Sequence, residues 1–271
     1  MPELPEVETT CAGIRPHLVG NVFSDVQVRQ TQLRWAVDAQ LKQHLMGLKV
    51  VSVTRRAKYC LLNTAQGSVI LHLGMSGHLK ILPANTVAGK HDHVDFVFAD
   101  QKMLRFNDQR KFGAVLWAEG NPLTHSLLKD LGVEPLTDEF TPHHLYELAQ
   151  NRTIPIKTFI MNGHNVVGVG NIYASESLFM ANILPTRKAG SLNPHDCERL
   201  VTAIKQVLQH AILQGGTTLK DFLSPTGNPG YFSQSLQVYG RAGQGCYRCQ
   251  TPIQQLKIGQ RASYFCPVCQ Q

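Results

Sequence analysis

The sequence predicts an α+β chain in three parts: an N-terminal β-sandwich or flattened barrel with a helix laid against it, a helical domain, and a C-terminal zinc ribbon. Three observations carry this. Short runs that mix alternation with β-branched residues fill residues 20–118. Past Glu119-Gly120-Asn121-Pro122 the apolar period becomes helical. Near the end, Cys246, Cys249, Cys266 and Cys269 form two Cys-x-x-Cys pairs. The implied divisions are residues 1–120, 121–236 and 237–271. With 43% of its 271 residues hydrophobic, the chain has ample material for a core. No apolar run reaches the length of a membrane span. Carboxylates stand at the N-terminus where a secretory leader would carry Lys or Arg, so the expected location is the cytoplasm.

The first element is a helix. Pro5 suits its first turn, Glu6 and Glu8 suit the positive end of its dipole, and Val7, Cys11, Ile14 and Leu18 share one face. The same segment also offers unusual chemistry. A small residue after an initiator Met permits removal of that Met, which leaves Pro2 with a free secondary amine. Attack of such an amine on an aldehyde or hemiacetal carbon gives an iminium with no N–H to lose, hence a lasting electron sink. Glu3 stands beside it as a proton carrier. A helix N-terminus near Pro2 disfavours the ammonium form and leaves more free amine.

Short β runs follow, among them Asn21–Val28, Lys49–Thr54, Ser68–Leu73, His78–Leu82, Val94–Phe98 and Lys102–Phe106. Glycines and Pro83 punctuate them. Lys58 lies in Arg55-Arg56-Ala57-Lys58-Tyr59, a basic cluster between two apolar runs that reads as a hairpin turn. In the helical part, Asn121-Pro122, Thr141-Pro142 and Asn193-Pro194 each pair an N-cap residue with Pro at the first helical position. The longest helix is expected over Pro194–Gln214, with another over Asn171–Ala181. Before the latter, Gly168 and Gly170 let backbone amides approach an anion at a helix start, and Asn171 adds a side-chain donor. Residues 216–237 are rich in Gly, Pro, Ser and Thr with little periodicity, as in a functional loop or linker.

The four clustered cysteines make two knuckles that complete a tetrahedral thiolate site. With no position open to water, one Zn²⁺ per chain would be structural. Cys11, Cys60 and Cys197 read as small core residues. The net charge of +7 favours an anionic partner, and the ribbon is basic through Arg241, Arg248, Lys257 and Arg261.

Four motifs occur together in order: Pro2-Glu3-Leu4-Pro5-Glu6-Val7-Glu8, His72-Leu73-Gly74-Met75-Ser76-Gly77, Val169-Gly170-Asn171-Ile172-Tyr173-Ala174, and the four-cysteine ribbon. With them the chain resembles, end to end, the formamidopyrimidine-DNA glycosylases, bacterial-type 8-oxoguanine repair enzymes that are also AP lyases. The endonuclease VIII-type glycosylases, which prefer oxidised pyrimidines, share the architecture and are the nearest alternative. A non-catalytic zinc-ribbon DNA-binding protein is the reading from another class, though a binder has no need of Pro2 followed by Glu3.

The resemblance implies a β-sandwich with an N-terminal helix, a helix–two-turns–helix domain and a zinc-bound hairpin. Damaged double-stranded DNA would lie between domains, bound by a monomer. Extracting a base from the stack needs groups that fill the gap. Met75 and Phe112 are implied as apolar wedges, and Arg110 as the partner of the orphaned base. Asp108-Gln109-Arg110-Lys111-Phe112-Gly113 carries Gln and Lys where the family usually has Pro and a second Arg. Lys58 and Arg261 are implied to hold phosphates near the reacting sugar, and His91, Arg152 and Asn171 to contact DNA. The implied chemistry is Pro2 attack on C1′ with Glu3 moving protons, then β,δ-elimination. The segment from Thr217 to Phe232 resembles the loop that closes over an everted 8-oxoguanine, which favours the formamidopyrimidine branch.

Overall fold

The computed structural model describes residues 1–216 and 235–271. These fall into two compact units, Met1–Lys129 with residues 214–216, and Asp130–Leu213 with residues 235–271.

The first unit opens with α1 (Leu4–Leu18), whose Leu4, Val7, Cys11, Ile14 and Leu18 are buried. That stripe packs on the strand pair that follows. Arg15 Nε donates to the Val53 carbonyl at 3.0 Å, and Arg55 Nε to Glu8 Oε2 at 2.8 Å. Two antiparallel four-stranded sheets make up the rest. One has β2 (Ser52–Arg56), β3 (Tyr59–Asn63), β4 (Gly67–His72) and β8 (Ala114–Glu119), side by side in that order. In the other, β1 (Phe23–Val28) is followed across the sheet by β6 (Asp92–Phe98), β7 (Lys102–Asn107) and β5 (His78–Pro83). A short α2 (Leu41–Leu45) joins them to the core. That core is continuous from α1 through both sheets and is centred on aromatic packing, with Phe23 5.0 Å from Phe98 and 6.2 Å from Phe96 between ring centroids. Cys11 and Cys60 lie in it as expected.

The second unit holds α3 (Pro142–Ala149), α4 (Ile156–Ile160), α5 (Asn171–Met180) and α6 (Pro194–Leu213), with the β9 (Gln254–Ile258) and β10 (Arg261–Phe265) hairpin. Two of the three expected caps start α-helices. Thr141 Oγ1 accepts from His144 N at 3.0 Å, while Asn193 and Asp196 exchange side-chain to backbone bonds of 2.8 and 3.2 Å. The third gives only a 3₁₀ turn, Pro122–Thr124, although Asn121 Oδ1 caps Leu123 N at 3.0 Å. The stretch that follows buries Leu128 alone before residue 131, so it has no apolar stripe to hold a helix against a core. Cys197 is fully buried on α6.

Candidate active site and DNA-contacting residues

Pro2 and Glu3 enter the first unit buried, and Glu3 caps α1. The Glu3 N–H donates to Glu6 Oε2 at 2.8 Å, while the Glu3 carboxylate accepts from the Glu6 backbone. Both carboxylates thus stand at the positive end of the helix, immediately after Pro2. Gly216, with φ +81°, closes over Glu6 so tightly that a Cβ there would lie 3.0 Å from Glu6 Oε1. Only a glycine fits both the backbone conformation and the space. The segment from Thr217 to Phe232, expected to cap a lesion, lies outside the described residues.

Lys58 is the second residue of the two-residue turn between β2 and β3, after Ala57 at φ 54°. The sequence reading of a hairpin turn matches, and the turn places Lys58 beside His72 at the end of β4. Tyr59 and His72 are cross-strand partners with ring centroids 4.9 Å apart. Burial, then the charges of Lys58 and Arg34, hold the His72 imidazole down to about 4, against an opposing pull from Asp108. The Gly74 N–H donates to His72 Nδ1 at 3.1 Å, which leaves the proton on Nε2. A neutral imidazole therefore offers an N–H donor in the positive field of two fixed cations, an arrangement suited to a phosphate. Sequence reasoning missed Arg34. Its backbone N–H bonds the Gly113 carbonyl at 3.2 Å and its guanidinium lies 4.8 Å over the Trp35 ring.

Met75, Arg110 and Phe112 come together at the tips of two adjacent loops, all three exposed. The Arg110 guanidinium carbon lies 5.0 Å from the centre of the Phe112 ring. The loops meet backbone to backbone at Gly74, where a Cβ would lie 2.5 Å from Gly113 N and Phe112 C. His91 joins this group through its main chain, its carbonyl accepting from Asp108 N at 3.0 Å. The loop before it is held by Arg105, fully buried, whose guanidinium donates to the carbonyls of Thr86 and Val87 and forks onto Asp95 with two 2.8 Å bonds.

In the second unit, Asn171 begins α5 behind Gly170. Its side chain bridges to β10, with Nδ2 donating to the Ala262 carbonyl at 3.0 Å. Lys157, 1% exposed on α4, completes the bridge and donates to Asn171 Oδ1 (2.6 Å), Ser263 Oγ (2.7 Å) and the Ala262 carbonyl (3.2 Å). The signal for Lys157 in the sequence is a lone charge inside the apolar run Ile154–Ile160. Arg261 follows a two-residue turn, Gly259-Gln260, with both φ positive, which starts β10 with the arginine exposed. Lys157, Met161, Ile258 and Arg261 help line a cavity of about 300 Å³. Arg152 stands apart from this bridge in its bonding. It is exposed after α3, with its Nε on the Leu148 carbonyl at 3.4 Å.

The four cysteines converge, their sulfurs all within 4.8 Å of one another, and could hold a metal ion. Cys249 and Cys266 are 3.4 Å apart and Cys246 and Cys269 3.9 Å. Tetrahedral thiolate ligation of zinc needs roughly 3.8 Å between sulfurs. Backbone N–H groups of Arg248 and Cys269 donate to the sulfurs of Cys246 and Cys266, as second partners of metal thiolates do. The residues fit the ion.

Exposed Met75, Arg110 and Phe112 on adjoining loop tips, carboxylates at the cap of the first helix and a four-cysteine ribbon suit one class of protein: enzymes that act on a base taken out of the DNA stack. Comparison narrows this. Residues 1–115 match the family described as formamidopyrimidine-DNA glycosylase N-terminal domain, and residues 131–223 its H2TH domain. The formamidopyrimidine-DNA glycosylase of Actinobacillus pleuropneumoniae serotype 7 is 55% identical over all of this chain and 98% of its own. That of Colwellia psychrerythraea is 52% identical over the full length of both. Among solved structures, the MutM (Fpg) protein of Thermus thermophilus aligns with TM-score 0.89 and 32% identity over 99% of this chain and 98% of its own. Lactococcus lactis Fpg in complex with Fapy-dG-containing DNA aligns with 0.90 and 33% over 99% and 100%. The chain belongs to the formamidopyrimidine-DNA glycosylase family and is a DNA glycosylase of base excision repair.

Proposed function

We propose that the chain excises oxidised purines, 8-oxoguanine and formamidopyrimidines, from double-stranded DNA and then cleaves the strand, with the Pro2 amine as nucleophile. After loss of Met1, the Pro2 nitrogen forms a bond to C1′ of the everted nucleotide. The bond from C1′ to the base breaks, the base leaving with the proton that the Pro2 N–H gives up, and Glu3 delivers to the ring oxygen the proton that opens the sugar. The resulting iminium acidifies the C2′ hydrogen. Its removal expels the 3′ phosphate, and a second elimination expels the 5′ phosphate. Lys58 and Arg261 stabilise the leaving phosphates as fixed cations, Arg152, His91 and Asn171 hold the backbone, and Met75, Arg110 and Phe112 fill the vacated stack. One Zn²⁺ per chain, on Cys246, Cys249, Cys266 and Cys269, fixes the ribbon that carries Arg261 and breaks no bonds. The reaction belongs to the nucleoid DNA of the cytoplasm.

The observation that carries this reading is the buried reciprocal cap of Glu3 and Glu6 directly after Pro2. It places the positive end of a helix dipole immediately after the terminal amine, which favours the free base over the ammonium, and keeps the Glu3 carboxylate next to it in the chain. Borohydride reduction during turnover of an 8-oxoguanine duplex tests it. A covalent protein–DNA adduct is expected, lost when Met1 is retained. Trapping through a chain that still carries Met1 refutes the Pro2 assignment. Faster excision of thymine glycol than of 8-oxoguanine refutes the assigned substrate.

A further inference from the structure

We propose that Asp108 is the positioning residue that sets Met75, Arg110 and Phe112 in register, so that the two loop tips enter the duplex as one wedge. The inference rests on the wedge reading above and adds the device that holds the wedge together.

Asp108 follows β7 and is fully buried. Its carboxylate accepts three hydrogen bonds from two loops. Ser76 Oγ–H donates to Oδ1 at 2.7 Å, the Arg110 N–H to Oδ1 at 3.2 Å, and the Gly113 N–H to Oδ2 at 2.8 Å. The Arg110 N–H is shared with Ser76 Oγ, at 3.1 Å. Ser76 directly follows Met75, while Arg110 and Gly113 bracket Phe112. One carboxylate therefore reaches a backbone or side-chain atom next to every member of the wedge. The main chain of Asp108 is held as firmly. Its N–H donates to the His91 carbonyl at 3.0 Å. Its carbonyl accepts from His93 Nε2 at 2.7 Å, which must be the donor because a carbonyl can only accept.

The tips themselves stand in solvent. Met75 is 38% exposed and Phe112 46%, and Lys111 between Arg110 and Phe112 has φ +57°. A loop in that conformation persists only where its surroundings over-determine it. A carboxylate suits the task because it is acceptor-only and all three of its partners are donors. An amide at the same place must set an N–H against a donor: the Gly113 N–H in one orientation, the Arg110 N–H in the other. Asp108→Asn is therefore a change of nearly equal size that leaves the register unsatisfied.

The test compares two reactions of the full-length, zinc-loaded protein. Excision of 8-oxoguanine from a duplex requires the wedge to enter as the base leaves the stack. Strand cleavage at a preformed abasic site requires no base to be everted. Asp108→Asn is expected to slow single-turnover excision by about tenfold to a hundredfold, as a displaced positioning group does, and abasic-site cleavage by far less. Ser76→Ala cuts the tie between the loops while Asp108 keeps Arg110 and Gly113, and the same selective loss is expected at smaller size. It settles the matter if Asp108→Asn lowers the melting temperature and both reactions together. Combined with Phe112→Ala, either variant should add little, because a misplaced wedge cannot be further harmed by losing its tip. Wild-type excision in Ser76→Ala, equal loss of both reactions in Ser76→Ala, or full additivity with Phe112→Ala overturns the proposal. If Phe112→Ala alone leaves excision unchanged, the wedge reading fails instead.

Discussion

The ammonium of Lys157 donates to Oδ1 of Asn171 at 2.6 Å. That bond settles which end of the Asn171 amide is oxygen, and the 3.0 Å bond from Nδ2 to the Ala262 carbonyl agrees. Asn171 therefore keeps one amide hydrogen for an anion, at the head of α5 where the helix dipole also favours one. Asn171→Asp is expected to weaken DNA binding more than Asn171→Ala. It removes the same donor, turns an acceptor toward the Ala262 carbonyl, and adds a negative charge opposite phosphate. Titration of an abasic-analogue duplex at two salt concentrations checks this, since the Asp variant should also change the salt dependence.

Lys157 itself anchors the start of α5 to β10. Lys157→Ala strips partners from Asn171 Oδ1, Ser263 Oγ and the Ala262 carbonyl, at a site that is almost fully buried. The expected loss is about 2–4 kcal/mol of stability, read by urea denaturation. Lys157→Met keeps the volume and should recover part of the stability but none of the DNA affinity that depends on the orientation of Asn171. Equal affinity in Lys157→Met and the parent would show that Asn171 needs no such partner.

These two residues also show what the sequence could and could not reveal. Asn171 stands in a recognisable Gly-rich approach to a helix, so its place at a helix start was legible locally. The partners of Lys157 lie 14 and 106 positions away, and no window of sequence brings them together. Asp108 is alike: its tie to Ser76 spans 32 positions. The cysteines were legible because metal ligation imposes its own short spacing. Met75 and Phe112 were legible because glycines beside apolar side chains mark loop tips. The helix expected after Pro122 failed for the opposite reason, a good local cap with no apolar stripe behind it.

The ribbon should depend on its metal. Cys249→Ser is expected to abolish stoichiometric zinc, by elemental analysis, and to cost DNA binding because Arg261 loses its fixed backbone. Arg261→Ala should lose affinity with one zinc per chain still present. Retention of tight DNA binding by a zinc-free Cys249→Ser protein would uncouple the metal from Arg261.

His72 makes a pH prediction of definite sign. Its folded value of about 4 lies below the usual 6.5, because of burial and the neighbouring Lys58 and Arg34 charges. The unfolded chain therefore takes up a proton first as pH falls. The stability held above pH 6.5 declines between about 6.5 and 4, and His72 adds no further loss below that. Imidazole resonances followed by NMR should show His72 neutral at pH 6 with its proton on Nε2. His72→Gln, which keeps a donor without the titration, should flatten the stability loss in that window. An imidazole that titrates near 6.5 in the folded protein would contradict the buried, cation-flanked setting.

Gly74→Ala tests the close approach of the two loops directly. Its φ of +61° is one that only glycine adopts freely, and the added methyl would meet Gly113 N and Phe112 C at 2.5 Å. Both neighbours are backbone atoms, so no side chain can swing aside to relieve the contact. The strain alone is worth about 1–3 kcal/mol, and the overlap adds to it until one loop moves. Movement of the Met75 loop separates Met75 from Phe112 and also disturbs the Gly74 N–H bond to His72 Nδ1. A lowered melting temperature should therefore accompany slower base excision and a changed His72 imidazole signal. Gly77→Ala is the comparison, since its Cβ would strike the Leu73 carbonyl oxygen at 2.3 Å within the same loop. It should destabilise the Met75 loop while leaving the contact of Gly74 with Phe112 and Gly113 sterically untouched. A Gly74→Ala protein with parental melting temperature and parental excision rate would mean that the loops are not in backbone contact.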